Sequence, residues 1–442
     1  MAGAVGDGVH YVDVDGVSVA FRVLGDRSGE DLVMISGSFL PVEALLEDRV
    51  ATRFINGLGA LGRLVLYDRR GVGLSDPFVD WSRSPLDQWA EDLIAVIDAA
   101  DLEQPTLVAW DAFFGTARLV ASRRPDLVGR LVLVNPLPFA SSLRDWLQET
   151  GRDGVDAAPD LEAAAFPSRI DEPGFRDWLD RSGRTGVSPG VAARLWEAIT
   201  TERDLTPPDL ACPTLVLHRR DCMWPAASIT HVANAIPNAE LVQVDGIDSA
   251  PISGNIDPLI VEIGRFVTGA PKAPPPERVS VAVLFTDLVA STDRAVDDGD
   301  HQWRSVLDRH DSLVHSCVEQ AGGHVIKFTG DGALAVMPST YSAAVTAHSI
   351  KQRLTPLGLE IRAGIHLGDV DRRNDDISGI AVNIAARIMA EAHAAEVLVS
   401  DSARIALIGT NATFDDTRTA ALKGVPGEWL IHRLREPPDT IR

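Results

Sequence analysis

The sequence predicts two domains of different class, an α/β domain followed by an α+β domain, and three observations carry that prediction. A chain of 442 residues is longer than one hydrophobic core usually serves. A proline-rich stretch, Gly269 to Arg278 (GAPKAPPPER), interrupts it with the composition of an extended, semi-rigid connector. The apolar pattern also changes across that stretch. Before it, strand-like runs alternate with helical periodicity; after it, the order is strand, helix, hairpin, helix, strand, helix, strand and closing strands. The expected boundaries are 8–268, a linker at 269–279, and 280–437.

In the first domain the strand-like runs are Leu32 to Ile35, Leu64 to Tyr67, Thr106 to Trp110, Leu131 to Val134, Thr214 to Leu217 and Leu241 to Val244. Continuous apolar runs of this length suit a sheet covered by helices on both faces. The polar, helical sequence at about 137–208 reads as a lid inserted over that sheet.

In the second domain Ser280 to Phe285 (SVAVLF) is a β-branched strand, and Asp287 falls where it gives way to a polar turn. His324 to Thr329 and Ala333 to Met337 are strands joined by Gly330-Asp331-Gly332, strong hairpin chemistry. Period-two alternation puts Lys327 on one face with Val325 and Thr329. Helices are expected at Trp303 to Gln320, Ser342 to Leu354, Gly379 to Glu391 and Asp401 to Ile408, with a long strand at Leu359 to Val370. This is the split βαβ layout of a ferredoxin-like domain.

The formal net charge of −22 argues against a nucleic-acid partner or a polybasic membrane patch, so a site for an anionic ligand needs local cations and metal. Cys212, Cys222 and Cys317 have no metal-ligand spacing and fit a reducing compartment. No apolar run approaches the roughly 18 residues of a membrane span, and MAGAVGDGVH lacks a signal-peptide pattern. A soluble, cytoplasmic chain without internal repeats is the expectation.

Asp287 and Asp331, each at a strand end, are the oxygen ligands that two hard cations need for phosphoryl transfer. Singly, each has a bland reading: an Asp after a strand caps a helix, and Asp-Gly is a common hairpin turn. Their surroundings decide between the readings. LFTDLVAST (Leu284 to Thr292), KFTGDGALAV (Lys327 to Val336), DISGIAVNIAAR (Asp376 to Arg387) and LKGVPGEW (Leu422 to Trp429) occur in the order of four motifs of the class III nucleotidyl cyclase catalytic domain, which this segment resembles.

That resemblance implies two divalent cations, Mg²⁺ or Mn²⁺, held by Asp287 and Asp331 with help from the Leu288 backbone carbonyl. Val289, Ala290, Ser291 and Thr292 lead into a helix whose free N–H groups suit the nucleotide's phosphates. Lys327 and Asp376 match the adenine-selecting pair, which favours ATP over GTP. Asn383 and Arg387 match the family's transition-state residues, Asn383 for the ribose and Arg387 for the α-phosphate. They are four apart on one helix face, with Ile380, Ile384 and Ile388 as the adjoining apolar stripe. Lys423 is a further candidate for the triphosphate. In the family the carboxylates come from one catalytic domain and the purine and transition-state residues from its partner, so a single such domain per chain implies a homodimer.

LYDRRGVGLSD (Leu66 to Asp76), RRPDLVGRLVLVNP (Arg123 to Pro136) and PTLVLHRRD (Pro213 to Asp221) resemble segments of the α/β-hydrolase family. There the nucleophile sits in a tight G-x-S-x-G elbow. Here the stretch is Ala109-Trp110-Asp111-Ala112-Phe113, with Asp111 in the nucleophile's place and Phe113 where a small residue is expected. Asp221 matches the triad's acid, but Ser249 stands where the histidine should be. His218 and His231 read as a strand-end and a helix-surface residue. A degenerate hydrolase domain that senses a small-molecule ligand between sheet and lid is therefore expected. The alternative is a bifunctional enzyme in which Asp111 still performs hydrolysis, and a nucleotide-binding pseudocyclase is a third possibility.

Overall fold

The computed structural model describes residues 8–36, 39–111, 114–136, 164–201, 210–271, 277–291, 294, 299–373 and 376–438. Ala112, Phe113, Thr292 and the lid residues 137–163 and 202–208 lie outside them. The chain divides into two compact units, Met1–Pro275 and Pro276–Arg442.

The first unit is built on the strands β1 (His10–Val14), β2 (Val17–Leu24), β3 (Glu30–Ile35), β4 (Gly62–Tyr67), β5 (Thr106–Trp110), β6 (Arg130–Val134), β7 (Thr214–Arg219) and β8 (Glu240–Val244). They lie in the order β1-β2-β4-β3-β5-β6-β7-β8, parallel from β4 to β8. This is the strand order of the α/β-hydrolase fold. Alternate side chains serve two cores, as a doubly covered sheet requires. Val33 and Ile35 pack with Trp89 and Leu93 of the helix Pro85–Ala99, and Leu32 and Met34 with Phe54 and Ile55 of the helix Arg49–Gly59.

The hairpin β1–β2 extends the strand set expected from the apolar runs. Its signal is the turn Asp15-Gly16, where both residues have positive φ, 55° and 79°. The LYDRRGVGLSD segment turns out to be an internal brace. The Asp68 carboxylate accepts from the Val42 and Leu74 N–H groups at 2.8 and 2.9 Å, and Arg70 pairs with Asp92 at 2.6 Å with both side chains buried.

The second unit carries β9 (Glu277–Leu288), β10 (His324–Phe328), β11 (Gly332–Met337), β12 (Ile361–Arg373), β13 (Asp376–Ser378), β14 (Val397–Ser400), β15 (Thr413–Ala420) and β16 (Trp429–Glu436). Their order is β10-β11-β9-β12-β14-β16-β15, with β13 paired to β12. The helices Asp300–Gln320 and Thr340–Leu354 cover one face through Val314, Val318, Ala343 and Ala347. The helix Ile380–Ala390 covers the other, with Ala381 and Ala385 against Val283, Leu334 and Val370.

Three expectations change in this unit. β9 does not end before Asp287, because β11 and β12 both pair with it there: Gly332 and Arg362 lie opposite Asp287. β10 has a bulge between Val325 and Lys327, so Val325 lies opposite Ala335 and Lys327 opposite Leu334. Ala335 and Leu334 belong to opposite faces, so Lys327 does not share Val325's face as simple alternation predicted. Ile380 is 50% exposed and is not part of the buried stripe, which runs through Ala381, Ile384, Ala385 and Ile388. At about 100° per residue, position 380 lies about a quarter turn from the centre of that stripe, on its rim.

Candidate active site

The sheet register brings the backbone positions of Asp287 and Asp331 together. Gly332 is the direct partner of Asp287, and Asp331 precedes it in the turn. The Asp331 backbone carbonyl accepts the Leu288 N–H at 3.1 Å, which ties the turn to β9. A Cβ at Gly332 would sit 2.5 Å from the Thr286 carbonyl oxygen and 3.2 Å from Oδ1 of Asp287, so any side chain here would crowd that oxygen.

Among the described residues no cluster of three or more His, Cys, Asp or Glu side chains forms a metal cage. Two carboxylate residues at neighbouring positions of the sheet and its turn, one with an oxygen that accepts no hydrogen bond among the described residues, fit hard divalent cations that complete their shells with backbone carbonyls, water and a ligand's phosphates. Leu288 itself is buried. Beyond it Val289 donates its N–H to the Glu360 carbonyl at 2.9 Å, Ala290 has φ 54°, and a helical turn opens at Ser291. The N–H of Val289 is therefore spent on the fold, while Ala290 and Ser291 stand where the chain turns toward solvent.

One residue in contact with Asp287 escaped the sequence reading. Arg362, opposite Asp287 on β12, donates from Nε and Nη2 to Oδ2 of Asp287 at 2.9 and 2.6 Å. The signal was an arginine at the start of β12, but its partner is visible only through the register.

Lys327 and Asp376, 49 positions apart, meet in the same chain: the Lys327 ammonium donates to Oδ1 of Asp376 at 3.0 Å. The same oxygen accepts the Ile377 N–H at 2.9 Å. The lysine's hydrogen bond, then that N–H, hold the Asp376 carboxyl below its ordinary pKa. Both side chains are half exposed or more, at 50% and 64%, so the pair presents a donor and an acceptor to solvent.

Asn383 and Arg387 project from the exposed side of the helix Ile380–Ala390. Among the described residues no hydrogen bond or ion pair joins either of them to Asp287, Asp331, Lys327 or Asp376. Lys423 is exposed in the turn between β15 and β16, as are most residues of LKGVPGEW around it.

In the first unit, Asp111 follows β5 with φ 51°, a left-handed conformation that a non-glycine residue adopts only under constraint. Its Oδ1 accepts the Trp224 indole N–H at 2.7 Å. Burial pushes its carboxyl up to about 7, with the indole hydrogen bond pulling the other way.

Ser249 is fully buried, and its hydroxyl has no partner among the described residues. Its backbone is pinned by the Asn135 side-chain amide, which donates to its carbonyl at 2.8 Å. The buried Arg219 guanidinium reinforces the same loop through the Asp248 and Ala250 carbonyls. Asp221 is exposed, and His218 is buried within β7 with both ring nitrogens unpartnered among the described residues. His231 is exposed on the helix Ala226–Ala235. Among these residues no hydrogen bond links Asp111, Asp221, His218 and Ser249 into a relay. Asp111 holds its left-handed conformation at the end of β5, and among the described residues no histidine is hydrogen-bonded to it.

Residues 274–436 match the family described as Adenylate and Guanylate cyclase catalytic domain. An adenylate cyclase of Mycosarcoma maydis is 28% identical over 181 residues, which is 34% of this chain and 7% of that protein. The chain spans less than half the length of the curated relatives it matches. A solved adenylate/guanylate cyclase/hydrolase from Silicibacter pomeroyi is 28% identical, covering 37% of this chain and 99% of that one with a TM-score of 0.33. An enol-lactonase from Burkholderia xenovorans LB400 is 18% identical, covering 59% of this chain and 100% of that one with a TM-score of 0.47.

Proposed function

We propose that this chain, whose residues 274–436 are an adenylate and guanylate cyclase catalytic domain, converts ATP to 3′,5′-cyclic AMP and pyrophosphate at sites shared by two copies. The α/β-hydrolase-fold unit is read as a regulatory domain that binds a small ligand. The observation that carries the choice of ATP is the Lys327–Asp376 pair at 3.0 Å. It offers a donor beside an acceptor, the complement of adenine's ring nitrogen and 6-amino group, and a site built this way disfavours a base that leaves either unpaired.

Asp287 and Asp331, with the Leu288 carbonyl, would hold two divalent cations, Mg²⁺ or Mn²⁺. When bound, these favour the ionised ribose 3′-oxygen and offset the charge of the departing pyrophosphate. Asn383 orients the ribose and Arg387 stabilises charge gathering on the α-phosphate. The backbone at Ala290 and Ser291, with Thr292 and Lys423, receives the β- and γ-phosphates. Because among the described residues no hydrogen bond or ion pair joins Asn383 and Arg387 to the carboxylates, a second copy supplying them is the economical arrangement.

For the first unit, the missing imidazole and the exposed setting of Asp221 favour sensing over turnover, since among the described residues no histidine is bonded to Asp111 to activate water there. The deciding experiment supplies the purified chain with ATP or GTP in separate reactions and quantifies the cyclic product. Cyclic AMP should dominate, and Lys327→Glu combined with Asp376→Cys should erode that preference. Faster turnover of GTP by the parent chain would overturn the assignment of ATP.

A further inference from the structure

Asp287 has two oxygens in different circumstances. Oδ1 accepts no hydrogen bond among the described residues and lies 3.2 Å from where a Cβ at Gly332 would sit, whereas Oδ2 takes both hydrogen bonds from Arg362, at 2.9 and 2.6 Å. The β9–β12 register sets the two residues directly opposite each other, so the contact is built into the sheet.

We propose that Arg362 is a positioning residue that sets the order of metal loading. A first divalent cation enters through Oδ1 of Asp287 and the Asp331 carboxylate; a second is admitted only once the guanidinium has left Oδ2. This rests on the reading of Asp287 and Asp331 as metal carboxylates.

The reasoning is electrostatic. Two carboxylates on adjoining strand ends repel each other, and a fixed guanidinium offsets that charge while the site holds no metal. An oxygen that already accepts two charge-assisted N–H bonds is a poor ligand, and the guanidinium repels an incoming dication. Release needs no change of backbone. The Arg362 side chain is 36% exposed and can swing into water, so the contact opposes the second ion without barring it.

The test titrates the whole chain with Mn²⁺ in the absence of nucleotide and follows free Mn²⁺ by electron paramagnetic resonance, with calorimetry as the second readout. The parent should show one tight and one weak class of site. Arg362→Met should tighten the weak class by about tenfold, because both the competing donor and the like charge are gone. Arg362→Lys, a point charge without the planar fork, should fall between the two. Thermal melts of each variant establish that the fold persists, and Arg362→Gln replaces the methionine variant if that one is unstable.

Asp287→Asn separates the two ways of failing. If it leaves Mn²⁺ binding as in the parent, the carboxylates are not the metal ligands. If it weakens binding while Arg362→Met binds as the parent does, the metal site stands and the loading order falls.

Discussion

At the residue scale, Gly332 and Asp331 separate packing from chemistry. The Asp331 side chain makes no hydrogen bond among the described residues; only its backbone carbonyl, bonded to Leu288, serves the fold. Asp331→Asn should therefore change stability by no more than about 0.5 kcal/mol, the range of substitutions away from core features. It should also lower cyclic nucleotide formation by at least about a hundredfold. Gly332→Ala should fail in both respects, since its Cβ would lie 2.5 Å from the Thr286 carbonyl. Melting curves and product assays on the two variants check this, and an active Asp331→Asn would remove the metal reading.

Asp111 poses the opposite problem, a carboxyl that folding holds at about 7. Between its unfolded value near 4 and that value, the folded state keeps a proton that the unfolded state has lost, so this group's contribution to stability falls as pH rises through 7. Asp111→Asn has no charge to bury and keeps an acceptor for the Trp224 indole. It should melt at a higher temperature than the parent at pH 8, with a smaller difference at pH 5. A variant less stable than the parent at pH 8 would mean that the ionised carboxylate is held by a partner.

At the scale of elements, His366 shows how β12, β14 and the following helix Asp401–Ala406 are joined. The ring is buried, with Nδ1 2.9 Å from the Ser400 hydroxyl and the Trp429 ring edge-on at 5.8 Å. Burial pulls its pKa down to about 4. The unfolded chain binds the proton below about 6.5, where the folded chain does not, so stability is lost as pH falls from there toward 4. Between pH 7 and pH 5 the loss should reach about 2 kcal/mol. His366→Gln should flatten that slope in denaturant titrations at the two pH values, and an unchanged slope would assign the loss to other groups.

The elements themselves were legible where the signal was local. Each apolar run named in the first unit is a strand, and Ser339 and Ser342 form the capping box that begins the helix Thr340–Leu354. The departures occur where neighbours intervene: β9 runs past its apolar stretch because it is paired on both sides, and the β10 bulge re-aims Lys327.

For the whole molecule, the prediction is complementation. Asp287→Ala and Arg387→Ala each break both sites of a homodimer and should be nearly inactive alone. In a mixed dimer one site collects both defects and the other is intact. Random pairing makes about half the dimers mixed, so co-expression should restore about a quarter of parental activity. If confirmed heterodimers stay as inactive as the single variants, the site is not shared between copies. The net charge of −22 bears on the same scale, because under the proposed function an anionic nucleotide would meet an acidic chain, and the cations proposed to face it, Lys327, Arg387 and Lys423, would have to act locally.

The sequence by itself determined the two fold classes, the hairpin turn that carries Asp331, and the positions of Asp111 directly after β5 and Ser249 after β8. These are matters of short-range pattern, in which periodicity, turn chemistry and motif spacing act over a few residues. Only the tertiary structure decided that Arg362 holds Oδ2 of Asp287, that Lys327 meets Asp376, that Ile380 is exposed, and that Trp224 donates to Asp111. Each of these joins residues far apart in the chain or depends on which face a neighbour covers. Strand register and packing set such contacts, and a linear pattern does not encode them locally.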